Sequence, residues 1–293
     1  MATRTTTTTA SRNGHGSAHE AERVPIDPDF ELNEPDLDFI DAQKPFWNPL
    51  LDHYFRLEVR GWDRLPEPPV LLVGIHAGGI LPIDAYAFGF AWFRHFGHDR
   101  IPRGTAHDFL TSSPILGDYL SKIGTIPASP EGISKALSQG EDVILYPGGD
   151  LDSLRPWWKR DDVVFGGRKG WIRMALDAQV PIVPVANVGA SDTLFVLTDG
   201  VKIAKTFRLD KLLRAKTFPL GIGFPFGLLP AGVPQIPLPA KLRSEILEPV
   251  ELDGEPGHQY DDEYVERMER KVVAELQRGV NRLAKRRRFP IFG

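Results

Sequence analysis

The sequence predicts an α/β fold, a largely parallel central sheet flanked by helices, on two observations. Short apolar runs alternate through the middle of the chain with segments of helical periodicity. The runs themselves, such as "PPVLLVGI", "DVILY" and "VPIVPVANVG", are apolar at successive positions, as strands covered by helices on both faces must be.

Taken in order, residues 1–24 are polar, Thr-rich and aperiodic, with too little apolar area to offset the entropy of ordering, and read as a disordered tail. Residues 25–56 form an amphipathic segment in which Phe39, Ile40, Phe46, Trp47, Leu50, Leu51 and Tyr54 recur at helical spacing, while Pro45 and Pro49 should break or kink any helix. Its aromatic face suits either the headgroup boundary of a membrane or the surface of a core. The remainder, 57–293, reads as one domain. "YFRLEVRGW" alternates as a strand and "PPVLLVGI" is a buried one; residues 85–96 and "SPILGDYLSKIG" are helical, and "TIPAS" is a short strand. "PEGISKALSQG" is a helix bounded by Pro130 and Gly140, "EDVILYPGGD" a strand running into a glycine turn, "GRKGWIRMALDAQ" a helix and "VPIVPVANVG" a strand. Residues 218–240 are apolar and Pro-rich, "LRSEILEPVEL" reads as a closing strand, and Asp261 to Lys285 is an amphipathic helix.

Composition narrows the function. The chain has 293 residues and no cysteine, which excludes disulfides, zinc–thiolate sites and a cysteine nucleophile. With no apolar signal region at the N-terminus, this points to a cytoplasmic protein. A net charge of -4 argues against nucleic acid as a partner, although Lys285 to Arg288 form a local basic cluster. His76, Pro82 and Asp84 interrupt the longest apolar stretch, residues 70–93, so no transmembrane helix is expected.

That same stretch carries the first candidate chemistry. His76 directly follows a buried strand, at the carboxyl edge where open α/β sheets bind ligands. Gly78 and Gly79 leave the backbone beside it accessible, and Asp84 is near enough in sequence to hold the imidazole tautomer. The alternative is structural: His76 satisfies a core hydrogen bond and Asp84 caps the next helix. A second cluster, "YPGGDLDSLRP", sets a turn at Gly148 and Gly149 with Asp150, Asp152 and Arg155 behind it. "FGGRKGWIRMAL" then places Arg168 and Lys169 at a helix start, where free N–H groups favour an anion. The chain has no G-x-S-x-G nucleophile elbow and no Gly-Lys step of a phosphate loop, and His76, Asp84, His107 and Asp108 show no metal-ligand spacing, so neither metal nor cofactor is expected.

"HAGGILPID", "YPGG" and "VPIVPV", in that order, make the chain resemble the glycerolipid and lysophospholipid acyltransferase superfamily. Its His-and-Asp block spaces the two residues by four positions, whereas seven separate His76 from Asp84 here, and "YPGG" lacks the Glu of the family's second motif. "HAGG", "YPGGD" and "RKGWIRMAL" are also similar to the type-two diacylglycerol acyltransferases, which make neutral lipids. The resemblance implies a single acyltransferase domain that moves a fatty acyl group from an acyl thioester, acyl-CoA or acyl carrier protein, to a lipid hydroxyl. It implies His76 as general base with Asp84 as its partner. The glycines of the two turns are then oxyanion donors, and Arg155, Arg168 and Lys169 hold donor phosphates. A lipid acceptor implies peripheral contact with a membrane surface, through residues 39–55, 218–238 and the basic cluster. A catalytically degenerate lipid-binding protein and a serine-independent esterase or thioesterase are the alternatives.

Overall fold

β2 (Leu71–Gly74) lies at the centre of a seven-stranded sheet because its residues are apolar on both faces. Leu71, Val73 and Ile75 enter one core cluster, and Val70 and Leu72 enter another on the opposite side. β6 (Ile182–Val188) divides in the same way, with Ile182, Ala186 and Val188 against Val183 and Val185. The computed structural model describes residues 31–79, 82–201, 206, 218–287 and 289; the tail expected over 1–24 lies outside them.

The sheet also holds β1 (Glu58–Arg60), β3 (Arg103–Ala106), β4 (Ile126–Pro127), β5 (Val143–Leu145) and β10 (Arg243–Ile246), in the order β1-β10-β6-β2-β5-β3-β4. Only the β10–β6 pair is antiparallel. The predicted α/β class, with a largely parallel sheet flanked by helices, is the observed one. One face is covered by α5 (Pro130–Ser138), α7 (Gly170–Ala178) and α8 (Asp262–Lys285). Tyr264, Met268, Val272, Leu276, Val280 and Leu283 form the buried stripe of α8, at the spacing read from the sequence. The other face is covered by α2 (Ile83–Phe96), whose Phe88 and Trp92 are fully buried.

The N-terminal segment corrects one expectation. α1 (Leu37–Pro49) runs through Pro45 to Pro49 and continues into a π turn, Leu50–Tyr54, closed by a 2.7 Å bond from the Phe55 N–H to the Leu50 carbonyl. Much of the apolar face of this segment meets protein: Ile40, Trp47, Leu51 and Phe55 are buried in a cluster with α2, and Trp47 stacks on Phe90 with ring centroids 4.5 Å apart, whereas Phe46 stays exposed. Among the described residues no helix is long and apolar enough to cross a membrane.

β3 and a separate three-stranded antiparallel sheet have no counterpart in the sequence reading. The small sheet consists of β7 (Phe195–Thr198), β8 (Leu220–Gly223) and β9 (Gly227–Pro230), with the hairpin register Ile222 opposite Leu228. Its inner side, Val196 and Ala231 together with Leu194, packs against Leu154.

Candidate active site

His76 leaves the carboxyl end of β2, and its backbone is held on three sides. Asn187 of β6 donates from Nδ2 to the Ile75 carbonyl at 2.9 Å. The His76 N–H donates to Asp152 Oδ2 at 3.2 Å, and the next N–H, of Ala77, donates to Asp84 Oδ2 at 3.0 Å. Asp84 also accepts from Ala85 N at 2.9 Å within the first turn of α2, so it fastens the loop to the helix.

Neither ring nitrogen of His76 is bonded to Asp84. Nε2 lies 3.1 Å from the Gly149 carbonyl, and Nδ1 is buried without a hydrogen-bond partner. A carbonyl only accepts, so in this rotamer the neutral ring carries its proton on Nε2 and its lone pair on Nδ1. Tyr146 stacks on the imidazole, with centroids 4.7 Å apart and planes 16° from parallel. Burial lowers the pKa of His76 to about 4; the Gly149 hydrogen bond opposes that shift and the Arg155 charge adds to it. The imidazole is therefore neutral at pH 7. Asp84 moves the other way, to about 8, chiefly by burial, against the pull of the Ala77 and Ala85 N–H groups and the Arg155 charge.

The second cluster reaches this loop through Asp152. α6 (Asp150–Ser153) is a single turn, so Asp150 and Asp152 point to different sides. Asp150 is exposed and pairs with Arg168 at 2.8 Å, whereas Asp152 is fully buried and pairs with Arg155. Burial raises Asp152 to about 7 even though Arg155 opposes it. The i, i+3 spacing of Asp152 and Arg155 ahead of a proline was the available signal for this pair.

Several expected roles change as a result. Arg155 is buried and committed to Asp152 and to the Arg160 carbonyl, at 3.2 and 3.0 Å from Nε and Nη2, so it is no free anchor for donor phosphates. Lys169 pairs with Glu266 at 2.6 Å, outside the lining of the cavity described below. Arg287 of the basic cluster is buried against Asp192 rather than turned outward. The N–H groups of Gly79 and Gly149 are engaged by the Ser153 and Tyr146 carbonyls, both at 3.1 Å. Gly149 adopts φ 53° and ψ -126°, a conformation that suits glycine. Gly78 packs beside Thr193, and Gly148 lies against Asp152.

What the arrangement encloses is apolar. A cavity of about 900 Å³ has His76, Gly149, Asp150 and Arg168 among its lining residues and extends over Ala85, Tyr86, Gly89, Phe90 and Phe93 of α2. It continues along Leu120 and Ile123, of α4 (Leu116–Lys122) and its C-cap, and the edge of β3 at Gly104, Thr105 and Ala106. This volume falls in the upper part of the roughly 300–1,000 Å³ range of small-molecule sites.

Residues 56–188 match the family model described as Acyltransferase. That stretch runs from just before β1 to the end of β6 and includes both arms of the site, His76 with Asp84 and the turn from Tyr146 to Arg155. The chain is similar to an uncharacterized protein of Mycobacterium leprae, 28% identical over 251 residues that make up 85% of this chain and 66% of that protein. It is also similar to the bovine (Bos taurus) "DGAT1/2-independent enzyme synthesizing storage lipids", 29% identical over 197 residues, 67% of this chain and 52% of that enzyme. The chain thus spans between half and two thirds of these relatives. Among solved structures, the 1-acyl-sn-glycerophosphate acyltransferase PlsC from Thermotoga maritima aligns with a TM-score of 0.49 and 17% identity, over 86% of this chain and 80% of that one.

Proposed function

We propose that the protein transfers a fatty acyl group from an acyl thioester to the hydroxyl of a glycerolipid or other lipid alcohol, with His76 as general base. The observation that carries this reading is that a neutral, half-buried imidazole forms part of the wall of a cavity that is otherwise mostly apolar. An acyl chain laid along α2 brings its thioester carbon towards His76. With the ring turned from this rotamer so that its unprotonated nitrogen meets the cavity, the imidazole accepts the proton of the acceptor O–H, and the oxygen bonds to the carbonyl carbon. The tetrahedral intermediate then collapses with C–S cleavage, and the imidazolium returns its proton to the departing thiolate. No covalent enzyme intermediate is needed.

Asp84 and Asp152 act here by fixing the peptide N–H groups on either side of the His76 Cα, that of Ala77 and that of His76 itself. Arg168, half exposed on the cavity rim, suits the phosphates of acyl-CoA or the phosphopantetheine of acyl carrier protein. A neutral-lipid acceptor, as in the type-two diacylglycerol acyltransferases, is favoured by the storage-lipid relatives.

The test is release of free thiol from long-chain acyl-CoA by the purified protein against a panel of lipid alcohols. Thiol release that requires the alcohol, yields the ester by mass and falls by about 10²–10⁴-fold in His76→Ala supports transfer. Acceptor-independent release that His76→Ala leaves intact would refute it.

A further inference from the structure

The small sheet has one closed side and one open side. On the open side Ile222 and Leu228 face each other across the hairpin, with Phe224 and Phe226 at its turn, and these four are 45–62% exposed. Ile236, joined to Phe224 by a bridge, extends the patch. Residues 218–240 contain no Asp, Glu, Lys or Arg. Scattered exposed apolar residues are ordinary, but a contiguous, uncharged patch of two phenylalanines and three branched aliphatics marks an interaction surface.

This surface adjoins the candidate site. Leu154, on the closed side of the sheet, also lines the cavity. In the loop that follows His76, the space beside Gly79 is taken by Leu194, which leads into β7. Whatever covers the open side therefore lies close to the cavity and to the His76 loop.

Charge selects the occupant. The sequence joining β7 to β8 carries Lys202, Lys205, Arg208, Lys211, Arg214 and Lys216 against two acids, Asp199 and Asp210, in a chain whose net charge is -4. A basic stretch leading into an uncharged aromatic turn is the pattern that suits an anionic bilayer. Apolar side chains enter the headgroup boundary while cations meet lipid phosphates. A second copy of a chain with net negative charge offers no such complement.

The geometry points to the β8–β9 turn as a docking surface for an anionic phospholipid bilayer, which holds the cavity next to the lipid that supplies the acceptor. In naming a lipid supply this rests on the proposed acyl transfer; the surface itself is tested without turnover. The full chain carrying His76→Ala is mixed with vesicles of phosphatidylcholine, with and without phosphatidylglycerol, and bound protein is measured by flotation. It is expected to bind, more tightly to the anionic vesicles. The added change Phe224→Ser/Phe226→Ser should weaken partition at least about tenfold with an unchanged thermal midpoint, since both rings are exposed in the folded protein. Equal binding by both proteins, or no preference for anionic vesicles, would overturn the proposal. So would a dimer in sedimentation that the double change dissolves while vesicle binding persists. Vesicle binding that depends on both phenylalanines, in a protein whose wild type transfers no acyl group, would sustain the surface and sink the proposed activity.

Discussion

Gly89 offers a direct test of what the cavity holds. It lies on the cavity side of α2, and a Cβ built there meets nothing within 4 Å. Replacing it with leucine puts four carbons into the path along α2 without a clash at the first atom. If an acyl chain runs there, about four methylenes lose their place, at about 0.8 kcal/mol each, or about 3 kcal/mol. That corresponds to a fall on the order of 200-fold in kcat/KM for a sixteen-carbon donor relative to a twelve-carbon one. The fold should not suffer, because leucine is favoured over glycine in a helix by up to about 1 kcal/mol. The assay is thiol release from acyl-CoA of graded chain length, paired with a thermal melt. An unchanged chain-length profile in a variant that melts normally would show that the acyl chain does not lie along α2.

Four other outcomes are expected. The acid limb of kcat/KM should fall near pH 4 rather than near 6.5, because burial keeps His76 neutral down to that value; a limb near 6.5 would place the catalytic imidazole in water. Stability should decline as pH rises from about 4 to 8: an unfolded Asp84 loses its proton near 3.8, while the folded one keeps it up to about 8. Asp84→Asn should flatten that part of the curve of thermal midpoint against pH. Trp47→Ala should cost about 3–5 kcal/mol in denaturant unfolding, as for a buried core residue, whereas a membrane anchor would cost little. Arg168→Met should raise KM for acyl-CoA by roughly tenfold and Lys169→Met by less than about twofold, since only the first lines the cavity.

The sheet was legible because its strands are covered on both faces. Runs such as "VLLV" and "VILY" need no alternation to declare themselves, and the 3.6-residue stripe of α8 was equally open to reading. β3 was not: "RGTA" carries a buried arginine and a glycine, and Arg103 is tolerated there only because Glu141 and the Asn33 carbonyl, both remote in sequence, receive its guanidinium. The small sheet hid behind its prolines and glycines, which mark loops unless a partner strand is known. Within the site, His76 at a strand end was readable from position alone. The commitment of Arg155 to Asp152 was not, because from sequence an arginine beside a glycine turn looks the same whether it faces a ligand or the interior. The same limit separated two readings of the aromatic face of α1, which depended on whether another helix lay beside it.

The cavity has one further consequence. Its walls are drawn from all three of the large hydrophobic clusters, through Leu145, Phe90 with Phe93, and Ile144. A hydrocarbon chain seated there makes contacts of the same kind that join those clusters elsewhere, so it counts as a removable piece of the interior. Folding and binding then draw on one free energy: a ligand present at about a hundred times its Kd adds about 2.7 kcal/mol to the stability of the protein. A protein built this way is sturdiest while loaded, and its resistance to heat or protease becomes a gauge of occupancy that needs no measurement of turnover.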